Sequence, residues 1–202
     1  MLSEIKKISS LLLSVAFSSI GFIASITVTV LAAREVSSNP LFVGFPNAVG
    51  VGGAVLGTRM IYLISKNNSQ LNALAFTFLI GAFGGAIMFY SLIVDSFVLL
   101  LFGAFILGIG QSATLQTRYA ASFVASEKFK ATALSLAVWF SVFGSVFGPR
   151  MVGSYSNFFE NIFNSELIVG YVIALVGMLF AASSLFIFTS KKSILRSPSN
   201  LE

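Results

Sequence analysis

The chain contains neither cysteine nor histidine. Without cysteine there are no disulfides, no thiolate metal ligands and no thiol nucleophile, and the redox compartment leaves no mark on the sequence. Without histidine the commonest metal ligand and the usual general base near neutral pH are gone. Haem ligation, zinc hydrolysis and intramembrane Ser/His chemistry therefore lack their working groups. No G-x-x-x-x-G-K-[ST] loop is present, so nucleotide hydrolysis has no phosphate cradle. No pair of carboxylates sits inside an apolar run. Charge is scarce too: 9% of 202 residues, 12 Lys+Arg and 7 Asp+Glu, where a soluble domain carries about a quarter. So few charges cannot cover a globule of this size, which excludes a soluble enzyme, a disordered tail and a collagen-like rod. No enzyme activity, cofactor or metal site is expected.

What the chain has instead is apolar length. Hydrophobic residues make up 56% of it, and the mean hydropathy is +0.95. A hydrocarbon core of roughly 30 Å is crossed by about 20 apolar residues in a helix. Six stretches reach that length: Ile8 to Ala32, Leu41 to Ile64, Leu71 to Tyr90, Phe97 to Ala121, Ala131 to Val152 and Leu167 to Thr189. The links between them are short and polar, so neighbouring helices run antiparallel. The first stretch is too long for a signal h-region and no A-x-A site follows it, so it reads as the first span.

Basic residues set the orientation. With the N-terminus inside, Lys6, Lys7, Lys66, Lys128, Lys130, Lys191, Lys192 and Arg196 are cytoplasmic, and Arg59 and Arg118 lie near inner helix ends. Arg34 and Arg150 fall outside, with the acids Glu35, Asp95, Glu160 and Glu166. The expected fold is an all-α membrane protein of six transmembrane helices, N-in and C-in. One bundle covers residues 1–190, and 191–202 form a basic cytoplasmic tail or the start of a linker. The net charge of +5 is explained by contact with the lipid bilayer surface and not by nucleic acid. In the longest link, Phe158, Phe159, Ile162 and Phe163 share one face, which predicts a short separate helix lying in the outer interface.

Two helices carry polar stripes at steps of three or four residues. In the first these are Ser14, Ser18, Gly21, Ser25 and Thr29; in the fourth, Gln111, Thr114, Arg118 and Ser122. Such stripes either bond within and between helices or line a water-filled cavity, and Gln and Arg are the costlier to leave against lipid. The candidate substrate path is Ser18, Ser25, Asn47, Gln111, Thr114 and Arg118, with Gln116 a weaker member. Arg118 lies roughly 31 Å along its helix, near the inner surface, where it snorkels to headgroups or serves as a cavity-facing or gating charge. Trp139, mid-helix, fits core packing or cavity lining. Gly53 with Gly57, Gly81 with Gly85, and Gly144 with Gly148 are G-x-x-x-G pairs. Gly170, Ala174, Gly177, Ala181 and Ser184 form a small-residue stripe, as close helix packing in lipid requires.

The segment from Gly108 to Gly153 reads GIGQSATLQTRYAASFVASEKFKATALSLAVWFSVFGSVFGPRMVG. It resembles the fourth and fifth helices of bacterial major facilitator superfamily permeases. Gly144, Gly148 and Pro149 match that superfamily's fifth-helix motif G-x-x-x-G-P, with Pro149 expected near the outer helix end. The resemblance implies an N-terminal half bundle built as a 3+3 inverted repeat in a bacterial inner (plasma) membrane. It further implies transport of a small solute by alternating access, once this half is paired in a homodimer or with a second six-helix half. The match departs from the superfamily's pattern in the loop between helices two and three. Ile61 and Ile64 stand there where an Asp and a second Gly are usual. A permease arginine of helix four would align near Ala104 and is absent, and Phe123 stands where some relatives carry an acid. No carboxylate lies mid-membrane, so proton coupling within this half is not expected. The alternative function is a non-transporting membrane subunit, an interaction protein or an inactive remnant.

Overall fold

The computed structural model describes residues 2–37, 39–163 and 165–189. Lys191, Lys192 and Arg196, and the tail or linker assigned to 191–202, lie outside the described residues. The described chain is helical, with six long helices: α1 (Leu2–Val36), α2 (Phe45–Asn67), α3 (Gln70–Ile93), α4 (Phe97–Val124), α5 (Lys130–Phe163) and α6 (Ile168–Thr189). All six are long and apolar enough to cross a membrane.

Two of the short links are closed by serine caps. Ser69 and Ser96 cap α3 and α4, their hydroxyls accepting from the backbone N–H of Asn72 and Leu99. Asp95 takes a left-handed conformation (φ 48°) after α3, and the Ser96 N–H returns to the Ser91 carbonyl at 3.0 Å. That is a Schellman ending with Asp where glycine is usual, and it lets α4 start two residues after α3's last carbonyls are satisfied.

α1 and α4 form the middle of the bundle. α1 packs chiefly on α6 and α5, α4 chiefly on α3 and α2, and α3 packs on α6. Exchanging α1 with α4, α2 with α5 and α3 with α6 maps these principal contacts onto one another, as an inverted repeat of two three-helix units does. The sequence carries an echo of this: residues 53–60 read GAVLGTRM in α2, and residues 144–151 read GSVFGPRM in α5. The glycines of both segments serve the same end. A methyl group on Gly53 or Gly57 would run into the α4 backbone at Phe105 and Ile109, and one on Gly144 or Gly148 into α1 at Ser19, Ile20 and Ala24. Without strong hydrophobic drive inside lipid, this close backbone approach supplies the packing attraction.

The small-residue stripe of α6 meets the stripe of α1. Gly170 faces Ala24 and Val28, Gly177 faces Phe17 and Gly21, and the Ser14 hydroxyl lies 2.6 Å from that of Ser184 and 3.1 Å from the Ala181 carbonyl. α2 and α5 are left on the flank. Only 17% and 22% of their most apolar stretches are buried, against 61% for α4.

Three expectations are corrected. The link after α5 is not a separate interfacial helix, because α5 runs unbroken through it to Phe163. Its apolar face continues the helical period, and Phe163 docks edge-on against Phe89 of α3 at 5.5 Å. Pro149 is consequently internal to α5 and not near its end. Trp139 is 67% exposed on the outer side of α5, so it is not part of the core.

Candidate functional site

Two hollows open on the side of the bundle bordered by α2 and α5. The first, about 240 Å³, lies between α1, α2 and α4, with Met88 of α3 at its floor. Its polar lining is Ser25, Thr29, Asn47 and Gln111, set among Phe22, Ile26, Val51 and Leu107. The second, about 290 Å³, lies between α1, α4 and α5. Its polar lining is denser: Ser19, Gln111, Thr114, Arg118, Ser141 and Ser145. Phe22 and Gln111 line both. Gln111 is the middle residue of α4, so the two hollows meet at mid-helix and run toward opposite ends of the bundle.

The fold builds this arrangement from helix periodicity. Gln111, Thr114 and Arg118 recur at three and four residues on α4 and project to one side, where α5 stands off. Ser141 and Ser145 are one turn apart on α5, flanking Gly144, which brings that helix against Ser19 of α1. On α1 the polar stripe divides. Ser14 and Gly21 are taken up by α6, while Ser25 and Thr29 reach the first hollow. Thr29 also receives the hydroxyl of buried Tyr171 from α6 at 3.5 Å.

Of the sequence-predicted residues, Ser25, Asn47 and Gln111 meet in the first hollow, and Gln111, Thr114 and Arg118 in the second. Ser18 lines neither. It is fully buried, and its hydroxyl donates to the Ser14 and Val15 carbonyls of its own helix at 2.7 and 3.3 Å. Gln116 also lines neither. Gly144 and Gly148 hold α5 against α1. Pro149 has no N–H to give the carbonyl four residues back, that of Ser145, so this carbonyl lacks its helical partner beside the second hollow. Sequence reading missed Ser19, Ser141 and Ser145. Ser19 stands one residue off the α1 stripe; Ser141 precedes the α5 glycine motif and Ser145 lies inside it, where a small residue reads as packing.

Electrostatically the second hollow is one-sided. Among the described residues Arg118 is its only charged lining residue, and no carboxylate lines either hollow. The Nε of Arg118 is buried without a hydrogen-bond partner. Arg118 lies in the C-terminal third of α4, past its middle residue Gln111, where a charge costs less than the about 2.5–3.5 kcal/mol of a helix centre. Among the described residues no group of His, Cys, Asp and Glu could hold a metal ion.

Comparison with known proteins agrees with this geometry. Two proteins of Bacillus subtilis (strain 168), the uncharacterized MFS-type transporters YdeG and YddS, are each 30% identical to the chain. The matches cover 87% and 91% of this chain but 41% and 42% of theirs. The chain resembles a six-helix half of a major facilitator superfamily permease. It spans about two fifths of the length of these major facilitator relatives. Both relatives are named as transporters, and the six-helix bundle with its exchanged three-helix units is a major facilitator-like fold. No family model matches the chain, and no solved structure matches it.

Proposed function

We propose that this chain is one half of a secondary transporter, moving a small solute by alternating access when paired with a second six-helix half or a second copy of itself. The observation that carries the reading is the pair of polar hollows meeting at Phe22 and Gln111, on the side flanked by the two least-covered helices. A partner half seated along α2 and α5 would close that side and turn two open hollows into one path between the membrane faces. Ser25, Asn47, Gln111, Thr114 and Arg118 would hydrogen-bond the solute in turn. Ser18 would support the α1 wall from behind. Gly144, Gly148 and Pro149 would let α5 slide on α1 as the path opens to one side and then the other.

The charge distribution supports an N-in, C-in placement in a bacterial plasma membrane. Lys66, Lys128 and Lys130 lie at one end of the bundle, and Glu35, Asp95 and Glu166 at the other. Among the described residues neither hollow holds a titrating carboxylate, so the reading is of a uniporter or exchanger, with any proton coupling left to the partner half. The test is counterflow. Proteoliposomes containing the chain, preloaded with each member of a panel of small metabolites, are expected to take up the labelled counterpart with no pH gradient. Uptake that strictly requires a proton gradient contradicts the uniport reading, and a panel with no exchange contradicts transport by the paired chain.

A further inference from the structure

Five buried side-chain polar atoms have no hydrogen-bond partner among the described residues: Ser10 Oγ, Ser19 Oγ, Thr114 Oγ1, Arg118 Nε and Ser165 Oγ. Three of the five line the second hollow. Thr114 is 4% exposed and Ser19 5%, so neither finds compensation in bulk water. Buried polar groups are paired in the great majority of cases, and a cluster of unpaired ones facing a single cavity marks a place where a partner is missing.

The chemistry of that partner follows from the atoms. The Arg118 Nε–H is a donor only, and the two hydroxyls are free to donate. Several serine and threonine hydroxyls on α1 and α4 spend their proton on a carbonyl of their own turn, as Ser112 and Thr117 do at 2.7 Å. Ser19 and Thr114 do not. A group that accepts several donors and carries negative charge satisfies all three at once; a carboxylate or phosphate does, an ammonium does not. A neutral hydroxylated solute would occupy the serines but leave the guanidinium without a counter-charge. The apolar walls Phe22, Ile23, Leu115 and Val142 lower the local dielectric and strengthen any ion pair formed there.

We propose that the hollow between α1, α4 and α5 binds the anionic oxygen group of a soluble solute. Arg118 supplies the counter-charge, and Ser19 and Thr114 supply further hydrogen bonds. This rests on the solute-path reading above and names the solute class. The same chemistry could be offered by a lipid headgroup reaching in from the membrane surface. The hollow extends to Gln111 at the middle of α4, deeper than a headgroup sits, which favours the soluble source.

The absence of native cysteine allows a clean test. Ser145, exposed on α5 at the rim of this hollow, is changed to cysteine (Ser145→Cys) in the full chain, reconstituted in phosphatidylcholine nanodiscs. Its labelling rates with an anionic sulfonatoethyl thiosulfonate and a cationic trimethylammonioethyl thiosulfonate are compared. We expect the anionic-to-cationic rate ratio to fall about tenfold on adding Arg118→Gln and to be largely retained with Arg118→Lys, as a nearby half-buried charge predicts. A ratio unchanged by Arg118→Gln, or lost equally with Arg118→Lys, overturns the assignment. A ratio that collapses in wild-type Arg118 when a third of the lipid is phosphatidylglycerol, by more than the ratio at a control cysteine outside the hollow, shows a headgroup in the site and overturns the soluble source. No labelling by either reagent means a dry hollow, which overturns the solute path itself and not merely its charge preference.

Discussion

At the scale of single residues, the glycines divide into those that hold helices together and those that do not. Gly108 faces the backbone of Gly50 so closely that an added methyl has no room, whereas Gly52 and Gly153 meet nothing within 4 Å. Gly108→Ala is expected to destabilise the bundle by about 1–3 kcal/mol through overpacking. Gly52→Ala is expected to stabilise it by about 0.5–1 kcal/mol, the ordinary gain from removing glycine inside a helix. Thermal melts of the two variants in the same detergent check both. A similar contrast separates the serines. The Ser18 hydroxyl bonds only to its own helix, so Ser18→Ala should leave exchange within about twofold. Thr114→Val removes a hydroxyl that lines the second hollow, and should weaken exchange while the melting temperature stays unchanged. Sequence periodicity placed Thr114, Gln111 and Arg118 together because a helix fixes which residues share a face. It could not separate Ser18 from Ser25, which lie on the same face of α1 at different depths. What divides them is the neighbouring helix, and the neighbour is decided by tertiary packing.

At the scale of helices, two devices stand out. Ser14 and Ser184 join α1 to α6 inside the bundle, and a Ser14→Ala/Ser184→Ala double-mutant cycle should give a coupling of about 0.6 kcal/mol, the usual value between membrane helices. Pro149 interrupts the hydrogen-bond ladder of α5 well inside the helix. Pro149→Ala restores the bond to Ser145, so it should raise the melting temperature and slow exchange, if freedom at this point is what lets α5 move. Equal gains in both would separate Pro149 from the conformational cycle. The number and order of helices were legible because apolar runs of this length are hard to mistake. The length of α5 was not, because the polar residues Ser154, Asn157, Glu160 and Asn161 look like a link. Phe158, Phe159, Ile162 and Phe163 continue the helical period, and Phe163 finds a ring on α3 to dock against.

For the whole molecule, the six helices behave as two three-helix units exchanged about a common centre, and the GxVxGxRM echo at 53–60 and 144–151 is the written trace of that exchange. Both glycine pairs are legible in the sequence, and what relates α2 to α5 is the Arg-Met that follows each pair after one further residue. The central claim is that the side between α2 and α5 carries a continuous water-filled path. Cysteine scanning tests it most directly, because the native chain contributes no background. Single cysteines at Ser25, Asn47, Gln111 and Thr114, with exposed apolar controls outside both hollows at Phe83 on α3 and Val176 on α6, are treated with a water-soluble maleimide in reconstituted membranes. The account predicts that the four path positions label and the two controls do not. Path positions no more reactive than Phe83 and Val176 would contradict it.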